Sequence, residues 1–201
     1  MITGTVLDEH GSPVAKAKAL ITEKGVFAAH RVLQFHETDA DGHFRTALVP
    51  WGTYIVTVGK EAAGYADTGF GLHCNNAYPT VVLTEDSPTA DVTVKLGPKA
   101  GVLELEPATD SATGNVIRLA AIRLKCAENP DLFIFTSASE GRFLIPPLTD
   151  VLIEISAEGY RSWPAPGLET TEGRAFLKPE QIHKLQVTLQ PEERVPPDGR
   201  K

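Results

Sequence analysis

An all-β chain of two sandwich domains in tandem is what this sequence predicts, and three observations predict it. Apolar and polar residues alternate with period two in runs rich in β-branched side chains, the pattern of strands with one buried face. Gly and Pro, 17 and 15 of them in 201 residues, punctuate the chain at short intervals, supplying the positive and fixed φ angles of tight turns. A set of short motifs also recurs once, at an offset of 93 to 99 residues. That period is too long for a solenoid and fits duplication of a whole domain.

The strands follow in order. Expected strands in the first half are Ile2–Leu7, Lys18–Thr22, Val32–Thr38, Thr53–Val58, Thr80–Leu83 and Asp91–Leu96. In the second half they are Gly101–Glu106, Ile117–Leu124, Leu132–Thr136, Val151–Ala157 and Lys184–Leu189. The clearest are Thr53–Val58, where Tyr54, Val56 and Val58 share one face, and Asp91–Leu96, where Val92, Val94 and Leu96 do. Only two brief helical segments are expected, Glu61–Ala63 and Lys178–Ile182, the latter with Pro179 at a first helical position. Asp41-Gly42 between Thr38 and Phe44 predicts a tight hairpin with Gly in the left-handed region. Short strands at this spacing favour sandwiches over alternating βαβ units.

The repeat pairs Gly4 with Gly101, Gly42 with Gly141, Phe44 with Phe143, and Gly64-Tyr65 with Gly159-Tyr160. It also pairs Val92–Leu96 with Leu185–Leu189. The seam falls at Gly97-Pro98-Lys99-Ala100, so the expected organisation is domains over 1–97 and 98–190 and a disordered, Pro-rich tail over 191–201. Phe44, Tyr54 and Tyr65 are the expected aromatic core, with Phe143 as the counterpart of Phe44.

Composition narrows the function. With 26 Asp plus Glu against 19 Lys plus Arg the net charge is −7, which argues against nucleic acid as a partner. No apolar run reaches the roughly 18 residues of a membrane-spanning helix, so no membrane insertion is expected. The chain starts at Met1 and enters a strand without a charged-then-apolar leader, which predicts a cytoplasmic protein or a trimmed secreted one.

The first half resembles the carboxypeptidase regulatory-like domain. The residues that carry the likeness are Ile2–Val6, Gly11–Ala17, Thr38–Phe44, Leu48–Tyr54 and Gly64-Tyr65, five short motifs in order over roughly residues 2 to 97. In the second half Gly101, Gly114, Gly141-Arg142-Phe143, Pro146-Pro147 and Gly159-Tyr160 correspond, as in a diverged copy. The resemblance implies two transthyretin-like, immunoglobulin-like seven-stranded β-sandwiches. It also implies a non-catalytic accessory or binding module with no cofactor, acting as a monomer on a protein or polysaccharide partner. The alternative is a hydrolase or small-molecule carrier with a site at the domain seam or an oligomer interface.

The motifs of chemistry are sparse. GxSxG, P-loop and GxGxxG patterns are absent, and none of the six histidines has Glu three residues on, as a zinc-peptidase motif requires. His36, Asp39, Asp41 and His43 form the densest polar cluster, a candidate metal site if the two histidines approach across the hairpin. The plainer reading is a solvated turn. His73 beside Cys74 suggests a thiol nucleophile, but adjacent strand residues point to opposite faces. Cys74 and Cys126 fall in different halves, so a bridge joining them would have to cross between domains, and buried or free thiols are the expectation. Trp51, with Phe70 or Tyr78, is a candidate platform for a sugar ring, and Trp163 is its counterpart in the second half. Aromatics at turns more often cap a core.

Overall fold

A computed structural model describes residues 1–24, 32–69, 74, 79–137, 141–165 and 172–192. Among them the structure is almost wholly β. Backbone contacts group the chain into two units. One is Met1–Gly101 with Leu144–Thr149 and Leu177–Gln181, and the other is Val102–Phe143 with Asp150–Phe176 and the chain from Ile182 onward. No helix among the described residues is long and apolar enough to cross a membrane.

The first unit is a seven-stranded sandwich. Its strands are β1 (Ile2–Leu7), β2 (Lys18–Glu23), β3 (Val32–Glu37), β4 (His43–Arg45), β5 (Gly52–Gly59), β6 (Thr80–Leu83) and β7 (Ala90–Lys95), with a short 3-10 turn, Glu61–Ala63, after β5. One sheet has the order β4-β1-β7 and the other β3-β2-β5-β6. The sequence alternation becomes the layer directly. Ile2, Val6, Phe44 and Val94 from the first sheet meet Ala19, Ile21, Tyr54, Val56, Val58, Val81 and Leu83 from the second in one buried cluster, which Tyr65 joins. Fully burying one such side chain contributes about 1.5–3 kcal/mol.

The second unit repeats the connectivity. Its strands are β8 (Gly101–Leu105), β9 (Thr109–Asp110), β10 (Ala121–Cys126), β11 (Asn129–Ser137), β12 (Gly141–Ile145), β13 (Asp150–Ser156), β14 (Arg174–Phe176), β15 (Ile182–Leu185) and β16 (Thr188–Leu189). The sheets run β12-β8-β15 and β11-β10-β13-β14, and β16 pairs with β9. Position by position, β12, β8 and β15 stand where β4, β1 and β7 do, and β11, β10, β13 and β14 where β3, β2, β5 and β6 do.

Most expected strands lie within a residue or two of their predicted bounds, and Glu61–Ala63 is helical as expected. The short strands β4, β12 and β14 were not among those expected, and five further details differ. Lys178–Ile182 is a turn and the start of β15, not a helix. Glu180 takes φ 59°, its N–H donates to Ala100 O, and the Gln181 side chain accepts from Lys178 N–H at 2.9 Å. Asp41-Gly42 is not a hairpin within one sheet, because β3 and β4 belong to different sheets. Gly42 does take φ 74°, but the turn carries the chain across the sandwich and Gly42 O accepts from Val6 N–H on β1.

β10 begins at Ala121 rather than Ile117. The preceding residues belong to the connection, where Ile117 N–H donates to Ala108 O and Leu119 is 88% exposed. The last strand is split into β15 and β16, and its neighbour splits with it into β8 and β9. Pro107 lies in that gap, where the register shifts by one residue, four residues from Leu105 to Thr109 standing against three from Leu185 to Thr188. Finally, Phe143 is only half-buried while Phe44 is buried. Its ring lies over its own strand, 3.0 Å from where a Cβ on Gly141 would stand.

Candidate functional site

The His36, Asp39, Asp41 and His43 cluster is distributed by the fold. His36 lies on β3, opposite Ala19, and His43 lies on β4, opposite Thr5. The sheet-crossing turn therefore sets the two imidazoles on different sheets. Asp39 serves the turn itself. Its Oδ1 accepts from Asp41 N–H at 3.0 Å and from His43 N–H at 2.8 Å, an Asx turn. His43 Nδ1 is 3.0 Å from Thr5 Oγ1. Among the described residues no three His, Cys, Asp or Glu side chains gather as a metal site. The outer face of β4-β1-β7 is polar here, and a shallow cleft involves Thr3, Glu37, Asp39, His43, Arg45 and Asp91.

The two tryptophans differ. Trp51 precedes β5 by one residue and is 61% exposed. The turn beneath it is held by Tyr54, whose buried hydroxyl donates to Pro50 O at 2.7 Å. Burial, with Glu23 nearby, raises the Tyr54 pKa. Leu48, three residues before Trp51, is 90% exposed. Trp163 is half-buried and built into the sheet: its N–H donates to Ile155 O at 2.8 Å and its carbonyl accepts from Ile155 N–H at 2.7 Å. Pro164 beside it closes over Gly173, where a Cβ would lie 2.6 Å from the proline Cγ. Phe70, Tyr78 and His73 lie outside the described residues.

Both cysteines are disulfide-bonded, and neither is free. The expectation of free or buried thiols is corrected: Cys74 and Cys126 are buried but oxidised. No nucleophilic thiolate is then available at Cys74. Local sequence carried no signal for the oxidised state, because one cysteine in each half has no neighbouring partner to reveal it.

Sequence reasoning missed a third feature, the outer face of β3-β2-β5-β6. Cross-strand register sets Phe35 opposite Leu20, Leu20 opposite Thr57, Thr22 opposite Ile55, Ile55 opposite Thr80 and Thr53 opposite Val82. Phe35 is 68% and Val82 55% exposed. The signal was present: Leu20, Ile55 and Val82 break the polar half of the alternation in strands otherwise polar outside. The equivalent face of the second unit is charged. Lys125 Nζ donates to Glu154 at 2.7 Å and Arg123 lies 3.3 Å from the same carboxylate. The hydrogen bond from Lys125, with both cations' charge, holds the Glu154 carboxyl below its ordinary value against the effect of burial.

One pairing ties a repeat motif to a loop. Tyr160 follows Gly159, which takes φ 78° as Gly64 takes φ 83°. The Tyr160 hydroxyl donates to Asp110 Oδ2 at 2.8 Å, which lowers the Asp110 pKa and raises that of Tyr160. The other Asp110 oxygen accepts from Ala112 N–H at 2.7 Å and Thr113 N–H at 2.8 Å. Asp8 begins the corresponding loop of the first unit in the same way, accepting from His10 and Ser12 N–H at 2.9 and 2.8 Å.

The strand order of the first unit, with its five motifs on β1, the β1–β2 loop, the β3–β4 turn, β5 and the turn after it, agrees with a comparison of sequences. Residues 1–97 match the carboxypeptidase regulatory-like domain. No curated protein matches the chain. Among solved structures, the Bacillus anthracis TIE protein is 16% identical with a TM-score of 0.37, covering 94% of this chain and 33% of its own. A streptococcal ancillary pilin is 14% identical with a TM-score of 0.36, covering 96% of this chain and 62% of its own. The shaft pilin SpaA from Lactobacillus rhamnosus GG is 12% identical with a TM-score of 0.35, covering 97% of this chain and 98% of its own. The chain thus spans about a third of the first of these proteins and less than two thirds of the second. The regulatory-like unit is where Trp51, Leu48 and the apolar sheet face reside.

Proposed function

We propose that the protein is a non-catalytic binding module whose regulatory-like unit presents Trp51 to a polysaccharide or protein partner. The observation that carries this reading is the exposure of Trp51 and Leu48, 61% and 90%, on a turn that a buried tyrosine hydroxyl holds in place. A rigid exposed indole loses little conformational entropy when a sugar ring or an apolar side chain covers it. Exposed large hydrophobics occur on both units, and what sets Trp51 apart is that Leu48 lies three residues from it on the same connection, since adjoining apolar groups mark interaction sites more often than single ones do. The second unit is proposed to be a diverged copy of the first, supported by the matching strand orders of its two larger sheets, and to act with it as a monomer. The disulfide supports an oxidising, extracytoplasmic compartment.

The test is a binding screen of the full chain against polysaccharides, cell-wall preparations and protein extracts, with Trp51→Ala and Trp163→Ala beside it. Saturable binding that Trp51→Ala abolishes without lowering the melting temperature is the expected result. Trp163→Ala is expected to lower the melting temperature, because Trp163 is half-buried beside β13 and removing its side chain uncovers apolar surface. Binding that survives Trp51→Ala overturns this assignment of the site.

A further inference from the structure

Each unit pairs its first and last strands in parallel. In the first unit β1 and β7 run side by side in a register of six residues, from Ile2 opposite Ala90 to Leu7 opposite Lys95. Both ends of that ladder are closed. Ala90 N–H donates to Met1 O at 3.1 Å and Leu96 N–H to Leu7 O at 2.9 Å, while Thr3 Oγ1 donates to Asp91 Oδ1 at 2.7 Å. In the second unit Val102–Leu105 pairs in parallel with Ile182–Leu185, and Thr109–Asp110 with Thr188–Leu189. Backbone bonds from Glu106 to Leu185, Thr109 to Val187 and Ser111 to Leu189 carry the pairing across the gap at Pro107.

Parallel pairing has a mechanical consequence. A chain that enters along one strand and leaves along its parallel neighbour exits at the far end, about 20 Å away for six residues at 3.3 Å each. A pull on the chain then drags the two strands in opposite directions along their common axis. The inter-strand hydrogen bonds lie across that axis, so every rung is loaded together. When two strands are pulled apart from the same end, the rungs break one at a time. β1 is also held from its other side by β4, and sliding it takes the fully buried Ile2 and Val6 out of the core.

We infer that each unit is a tension-bearing element, with the parallel pair of its first and last strands as the clamp. This goes beyond the binding reading and does not depend on it. A partner held at the Trp51 turn would be held by a chain able to carry load.

Single-molecule force spectroscopy on the full chain tests it, with dithiothreitol present so that tension follows the backbone. One protein carries attachment tags at its two ends. A second carries one at the N-terminus and one inserted beside Ser87, where β1 and β7 start together. End-to-end pulling is expected to need the higher force at the same loading rate. Ala90 and Leu96 N–H face β1, and strand alternation gives Val92 the same direction and Thr93 the free edge. Val92→Pro is therefore expected to lose rupture force in the end-to-end pull and Thr93→Pro to keep it, both checked for folding by thermal melt. Equal forces in the two directions, or a folded Val92→Pro that ruptures like the parent, overturn the inference.

Discussion

Gly4 shows how one missing side chain positions a ring. A Cβ there would stand 2.4 Å from Phe44 Cζ and 2.8 Å from the Val92 carbonyl oxygen. The glycine lets the Phe44 ring lie flat on β1 in the sandwich core. Gly4→Ala is expected to cost about 1–3 kcal/mol through overpacking, measured by urea unfolding. Adding Phe44→Leu should recover part of that cost but not all, because the clash with the carbonyl remains. Full additivity of the two changes would show that the ring and the glycine are not coupled. Glu154 makes a different kind of residue-scale prediction. Its pKa is lowered by the hydrogen bond from Lys125 and by the charges of Lys125 and Arg123. A carboxyl depressed in the folded state contributes stability above its unfolded pKa and loses it as pH falls through the folded value. Glu154→Gln is therefore expected to flatten the acid limb of the stability profile below the ordinary carboxylate range. A limb of unchanged slope would show that the pair does not stabilise the fold.

At the scale of elements, strand ends are tied by two buried threonines that alternation alone did not single out. Thr46 Oγ1 accepts from Ile2 N–H at 2.9 Å, while Thr46 N–H donates to Ile2 O. Thr38 Oγ1 accepts from Ala17 N–H at 2.8 Å and donates to Val14 O at 2.6 Å. Each fastens the end of one strand to the start of another, and each is 3% exposed. Thr46→Val keeps the shape but leaves the Ile2 N–H without its acceptor, which costs about 1–3 kcal/mol. Thr46→Ser is expected to retain most of that stability, and equal unfolding midpoints for the two variants would contradict the role. The strands themselves were legible because a period of two survives in β1, β5, β6 and β13, whose burial alternates residue by residue. Breaks were harder to read. Nothing in Leu185–Leu189 announces the interruption, where the register with the neighbouring strand shifts by one residue between Leu105 opposite Leu185 and Thr109 opposite Thr188.

For the whole molecule, the oxidised cysteines decide the outcome of a simple titration. Native protein purified without reductant is expected to show no thiol reactive to Ellman's reagent, folded or unfolded in denaturant, since Cys74 and Cys126 are both in disulfide linkage. Reduction should then lower stability by about 2–4 kcal/mol. Two titratable thiols in the unfolded, unreduced chain would contradict the structure and withdraw its support for an oxidising compartment.

Alternation and turn residues by themselves determined an all-β chain and the positions of most of the longer strands, and five motifs in order carried the likeness of residues 1–97 to the carboxypeptidase regulatory-like domain. These are local properties, written in the spacing of neighbouring residues. Tertiary structure alone decided which strands share a sheet, and with that the fate of each candidate site. Asp41-Gly42 read as a hairpin because a tight turn has the same local chemistry whether its arms stay in one sheet or cross to the other. His36 and His43 were separated by that crossing. Trp51 stands just before β5 and is exposed, whereas Trp163 follows β13 and bonds to it through its backbone, so the two turn tryptophans hold different places in their units. Exposure depends on what the rest of the chain places against a residue, and the spacing of its neighbours does not encode it.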